Sequence, residues 1–156
     1  MHDHEHYMRH CLTLAKEALA QGNPPVGSVV VRDGVIVGRG REAGKSKGDV
    51  TCHAEIEALR DAVKNISSGD LSDCSLYTTH EPCLMCAYVL RHHAVRQVIM
   101  GVRVKTVGGV SSRYPVLIDD DFEIWAAPPG IVEGICSNEC EELSRRYERL
   151  KEGGPV

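Results

Sequence analysis

No stretch of this 156-residue chain approaches the about 18 consecutive apolar residues that a membrane-spanning helix needs, and a membrane partner is not expected. The opening residues, MHDHEHYMRH, contain no apolar core of the kind a secretory signal carries. The seven cysteines are therefore expected in a reducing cytoplasm, and their odd number and uneven spacing argue against a disulfide framework. Cys11, Cys74, Cys136 and Cys140 read as small buried hydrophobes. There is no excess of positive charge: 18 Lys and Arg stand against 22 Asp and Glu, a net charge of −4. That balance argues against a broad nucleic-acid-binding face but leaves room for a local patch. Arg145, Arg146, Arg149 and Lys151 cluster near the end, where cations on a solvated helix face complement the helix dipole. Internal repeats and low-complexity linkers are also missing, so residues 1–156 are expected to form a single domain, with 1–6 as a frayed tail.

What is present is a clear alternation of periodicities. Met8, Cys11, Leu12, Ala15, Ala18 and Leu19 recur at helical spacing, and GNPP ends that helix. GSVVVRDGVIVGRG is two β-branched runs around Asp33-Gly34, which signals a hairpin. A polar loop, REAGKSKGDVT, leads to the helix HAEIEALRDAVKN. CSLYTT is a strand, CLMCAYVLRHH a helix with Pro82 in its first turn, and RQVIMGV a strand. KTVGGVSSRYP is irregular, FEIWA is the expected last strand, and Ser137 or Asn138 caps a final helix to about Lys151. The middle of the chain has the βαβ order of parallel strands and the hairpin makes the sheet mixed. The fold class is thus α/β, with helices on both faces of roughly five strands.

Within this frame two helix starts draw attention. Cys83 and Cys86 are three apart, hence neighbours, where the positive end of a helix dipole favours thiolate. Alone, C-x-x-C is equally compatible with two core cysteines or a redox pair. Upstream, in TCHAEIEAL, His53 and Glu55 are separated by about 200° around a helix, so they share a target only beyond its N-terminal end. Both helices begin at the carboxyl edge of the sheet, where open α/β sheets bind ligands. One His and two Cys then converge on one point, the ligand set of a zinc ion with an open fourth position. A closed structural site, with Cys52 as fourth ligand, would strain the turn and leave Glu55 without a task. His2, His4, His6 and His10 fall in the tail and read as adventitious.

His53-Ala54-Glu55 followed by Pro82-Cys83-Leu84-Met85-Cys86 is the H-x-E…P-C-x-x-C order of zinc deaminases. The chain resembles the cytidine deaminase superfamily, in the branch of bacterial tRNA adenosine deaminases, guanine deaminases and fungal cytosine deaminase. MRHCLTLAKEAL, PPVGSVVV, SLYTTHEPCLMCA and KTVGGV extend the likeness over roughly residues 7–145. The resemblance implies a three-layer α/β/α sandwich, a homodimer, one Zn²⁺ per chain held by His53, Cys83 and Cys86, and Glu55 as the acid/base. Zinc so held lowers the pKa of its water from 15.7 toward about 7. A single carboxylate can then move the protons of both the addition and the loss of ammonia. The backbone N–H groups of Ala54 and Cys83, at helix N-termini, are candidates to orient substrate.

Substrate choice is less determined. Where this branch carries an asparagine that hydrogen-bonds the base, counting places Glu42. An ionised carboxylate only accepts, so a ring presenting N–H groups would suit it. Equally, Glu42 could be a solvated loop carboxylate. Val26, Ala54 and His92, the last two turns beyond Cys86, complete the candidate substrate-binding set. Net acidity and Glu42 favour a small-molecule amino-heterocycle, free base or nucleoside. KTVGG and the terminal arginines favour the alternative, conversion of adenosine to inosine in a tRNA anticodon loop, with tRNA as partner. A zinc-stapled binding module without activity is a third reading.

Overall fold

The computed structural model describes residues 3–121, 123 and 126–153. Helix α1 (His4–Ala20) is followed by strands β1 (Gly27–Arg32) and β2 (Val35–Arg41), short helix α2 (Gly44–Lys47), and helix α3 (Ala54–Ile66). Strand β3 (Cys74–His80), helix α4 (Leu84–His92), strands β4 (Gln97–Val102) and β5 (Gly130–Val132), and helix α5 (Ser137–Lys151) complete the chain. The five strands form one sheet in the order β2-β1-β3-β4-β5. β1 is antiparallel to both neighbours, while β3, β4 and β5 run parallel. The mixed α/β sheet with helices on both faces is the expected fold class.

Asp33 and Gly34 both have positive φ, the backbone of a tight hairpin turn whose twist matches its strands. Along β1, Val29 and Val31 face α1 with Met8, Cys11, Tyr77 and Ile99. Val30 faces the other way, into Ala58, Leu59, Ala62, Leu76, Leu90 and Val98. Both faces of β1 are thus covered, which accounts for its unbroken run of buried residues. α5 packs on α1 through Leu12, Ala15, Leu19, Cys140 and Leu143.

Several expectations are corrected. The frayed tail is helical from His4: Asp3 accepts from the His6 N–H as an N-cap, and His4 Nδ1 lies 3.0 Å from the Tyr77 hydroxyl. The polar loop after β2 contains α2, tied down by buried Asn23, which bonds both the N–H and the hydroxyl of Ser46. Pro82 precedes α4 rather than opening its first turn, and Cys83 is the N-cap. The last strand among the described residues is Gly130–Val132; the expected strand FEIWA has Phe122, Ile124 and Trp125 outside the described residues. Three residues are too few to show an alternating pattern, so β5 left no readable signal. Cys11, Cys74 and Cys140 are buried as expected, and Cys136 is partly so. Among the described residues no helix is long and apolar enough to cross a membrane.

Candidate active site

The parallel arrangement of β2, β3 and their following helices brings the first turns of α3 and α4 together at one edge of the sheet. α3 lies on β2 with no side chain between them at one point. A Cβ on Gly40 would stand 2.1 Å from the Ala54 carbonyl oxygen, and one on Gly38 2.3 Å from that of Ala58. His53 is the N-cap of α3 and Glu55 lies in its first turn; Cys83 and Cys86 hold the corresponding places on α4.

The ligand atoms of His53, Cys83 and Cys86 all lie within 4.8 Å of one another. His53 Nδ1 is 3.4 Å from Cys83 Sγ and 3.5 Å from Cys86 Sγ. Tetrahedral zinc with Zn–S near 2.3 Å and Zn–N near 2.0 Å separates its S and N ligands by about 3.5 Å, so the donor set fits the ion. Cys52 is outside this group, its thiol beside Asp49, and the closed four-ligand site does not form.

The electrostatics suit a dication. Cys83 is pulled down to about 4, chiefly by a hydrogen bond from the Cys86 thiol, with His53 adding to the effect. The same sulfur pushes His53 up to about 9. Cys86 is held up by its neighbour Cys83 and by burial. One thiolate is therefore ready, and seating a metal displaces the protons of Cys86 and His53.

Glu55 is 4% exposed, and burial raises it to about 7. Its Oε2 lies 3.5 Å from Cys86 Sγ. Its Oε1 accepts from Thr78 Oγ1 at 3.3 Å, and Thr78 in turn accepts from Ser28 Oγ at 2.9 Å. A carboxyl poised near neutrality, oriented by two hydroxyls and beside the metal ligands, can both take and give a proton. Ser28 and Thr78 were not anticipated, because nothing in the alternating pattern of a strand marks one inward hydroxyl as different from another.

A cavity of about 210 Å³ opens onto these groups, lined by Pro24, Val26, Glu42, His53, Glu55, His80, Glu81, Cys83 and Val104. Val26 and Glu42 meet where the Glu42 N–H donates to the Val26 carbonyl at 3.0 Å. Glu42 is half-buried; burial raises its pKa, opposed by His53 and by the amides of Gly44 and Ala54. Ala54 is buried at the first position of α3. His92 does not join the site: it is exposed at the far end of α4, beside Tyr88 and His93. The six residues from Cys86 carry it about 9 Å along the axis, which a shared helix face does not undo. His80 and Glu81 line the cavity and were also missed.

A larger open cleft of about 700 Å³ lies on the other side of His80, between Arg103, Lys105, Glu133, Glu141, Ser144 and Arg145. It holds no metal-ligand set among the described residues, so the chemistry belongs to the smaller cavity.

Residues 1–102 match the model of the cytidine and deoxycytidylate deaminase zinc-binding region. The tRNA-specific adenosine deaminase of Haemophilus influenzae is 35% identical over 150 residues, 95% of this chain and 85% of that protein. A tRNA(Ile)-lysidine synthase of Deinococcus radiodurans is 36% identical over 139 residues, 88% of this chain, but the match spans only 23% of the synthase. Among solved structures, a tRNA:A34 deaminase that performs A-to-I editing at the wobble position of transfer RNA superposes with a TM-score of 0.82 and 29% identity. It covers 88% of this chain and 98% of the other. Fold, metal-ligand geometry and sequence thus agree on zinc-dependent hydrolytic deamination at a C–N bond, and the chain belongs to the cytidine and deoxycytidylate deaminase zinc-binding family.

Proposed function

We infer that this enzyme converts adenosine to inosine in tRNA, working in the cytoplasm as a homodimer. The observation that carries the reading is a cavity lined by His53, Glu55 and Cys83, with Cys86 in the same ligand cluster, in a chain whose similar proteins include tRNA-specific adenosine deaminases over most of their length. This reverses the order of the two substrate classes that charge balance suggested. Net acidity is a property of the whole surface, whereas RNA needs only a local one. In the cleft beyond His80, Arg103 pairs with Glu133 and Arg145 with Glu141, so its small positive excess rests on Lys105. The terminal arginines contribute less than their number suggests, since Arg145 and Arg149 both pair with glutamates of their own helix.

Held by His53, Cys83 and Cys86, zinc would supply the Lewis acidity that makes water nucleophilic near neutral pH. Glu55 accepts the proton of that water and passes it to the ring nitrogen beside the amino-bearing carbon. As the C–N bond breaks it takes the second proton, from the added oxygen, and gives it to the departing amine, so water enters, ammonia leaves, and the carboxylate is restored. Val26 and Val104 give the ring an apolar slot, and Glu42 faces one edge of it.

Glu42 favours a second reading, a free amino-substituted base. Adenine offers N7 as an acceptor toward which an ionised carboxylate has nothing to give, while a lactam-type ring offers N–H donors. The two readings separate in one assay. Purified zinc-loaded protein is incubated with unmodified tRNA, guanine, cytosine, adenine and an aminotriazine, and inosine and ammonia are measured. Inosine in tRNA with no ammonia from free bases supports the first reading; the converse replaces it with the second.

A further inference from the structure

Glu81 stands two residues before Cys83, is 2% exposed, and has no cation bonded to it among the described residues. Its four hydrogen bonds all come from one loop. Oε1 accepts from the Val104 N–H at 3.1 Å and the Ser111 hydroxyl at 2.5 Å. Oε2 accepts from the N–H groups of Val110 at 3.0 Å and Ser111 at 2.9 Å. A buried carboxylate satisfied by three main-chain donors is a strong clamp, because each bond is charge-assisted and any donor left unpaired there is costly.

The same loop is stitched to the metal-ligand turn. The Gly109 N–H donates to the Pro82 carbonyl at 2.8 Å, the Leu84 N–H to the Val107 carbonyl at 3.1 Å, and Cys83 forms an isolated bridge with Gly108. This accounts for the glycine pair in KTVGG. A Cβ on Gly108 would stand 1.7 Å from Glu81 Oε2, and one on Gly109 2.6 Å from the Ala87 Cβ. The loop also supplies Val104 to the cavity wall, opposite the segment carrying Val26 and Glu42.

We propose that Glu81 is a positioning residue that fixes the Val104 wall of the substrate cavity to the Cys83 turn, so that substrate is held at a set place relative to the metal ligands. The proposal rests on the deaminase reading for the identity of the cavity and adds a role for a side chain that does not itself react. Glu81→Gln is the direct test. The amide keeps the size but places an NH₂ group against at least one backbone N–H in either orientation, since both oxygens face one.

Wild type and Glu81→Gln are compared for zinc content, amide hydrogen exchange at residues 104, 110 and 111, and steady-state deamination of tRNA and of guanine. The expected result is retained zinc, faster exchange confined to that loop, and a KM raised about tenfold or more with kcat changed less than about threefold. An unchanged KM despite faster loop exchange overturns the proposal, as does unchanged exchange. Should Glu81→Gln lose zinc or fail to fold, Gly108→Ala strains the same junction from the loop side and is judged by the same readouts. Wild type inactive on both substrates would instead defeat the deaminase reading, a failure visible before any variant is made.

Discussion

Replacing Glu42 by asparagine tests substrate choice at a single side chain. Glu42 lines the cavity beside His53 and is half-buried, close enough for a ring in the slot to meet it and shielded enough for the encounter to matter. A hydrogen bond to a charged group contributes about 1.5–3 kcal/mol, and each 1.4 kcal/mol is a factor of ten. A ring that presents N–H donors to Glu42 should therefore lose about 10- to 150-fold in kcat/KM when the charge is removed. A ring that presents an acceptor gains about 2- to 10-fold, since the asparagine NH₂ supplies a donor that glutamate lacks, in a bond between neutral groups. The guanine-to-adenosine preference then shifts by about one to three orders of magnitude. Ammonia release from guanine and inosine formation in tRNA, measured on both proteins at matched zinc content, give the ratio directly. If both activities change by the same factor, Glu42 does not read the ring edge and the second functional reading loses its support.

Three further outcomes are expected. Glu55→Gln should keep its zinc and lose about 10²- to 10⁴-fold in kcat, checked by metal analysis and single-turnover kinetics, because the amide cannot carry the proton. Stripping the metal with a chelator should lower turnover by at least about 100-fold, restored by zinc but not by magnesium, which does not favour thiolate ligands. His80 is pushed down to about 4 by burial, with its ring nitrogens against the hydroxyls of Thr79 and Ser144. It stays neutral in the fold while the unfolded chain takes up a proton below about 6.5, so its contribution is complete above that pH. As pH falls from about 6.5 toward 4, on the order of 3 kcal/mol is lost, and His80→Gln should flatten that part of a denaturation-versus-pH curve.

The residues proposed to act directly were legible because their chemistry restricts both type and spacing. A helix start with His and Glu two apart, followed by two cysteines three apart, has few other uses, and the structure clusters His53, Cys83 and Cys86 with Glu55 beside them. The residues that hold these four in place were not legible. Thr78 and Ser28 are ordinary strand hydroxyls until β1 and β3 pair, and Glu81 looks like any carboxylate before a proline until the loop from Arg103 to Ser111 closes over it. His92 misled for a related reason: periodicity gives the direction around a helix but not the distance along it. The position of β1 between β2 and β3 likewise depends on partners far apart in the chain, which local pattern does not encode.

The glycines of β2 have one more implication, for how such a protein diversifies. Gly38 and Gly40 seat α3 backbone against backbone, so those two sites are closed to larger side chains, while residue 42 hangs past the end of the strand. A lineage can therefore exchange the group at 42, and on the proposed reading the molecule accepted, without disturbing the helix that carries Glu55. The position free to vary and the glycine that fixes the helix sit two residues apart on one ribbon, yet they answer to different constraints.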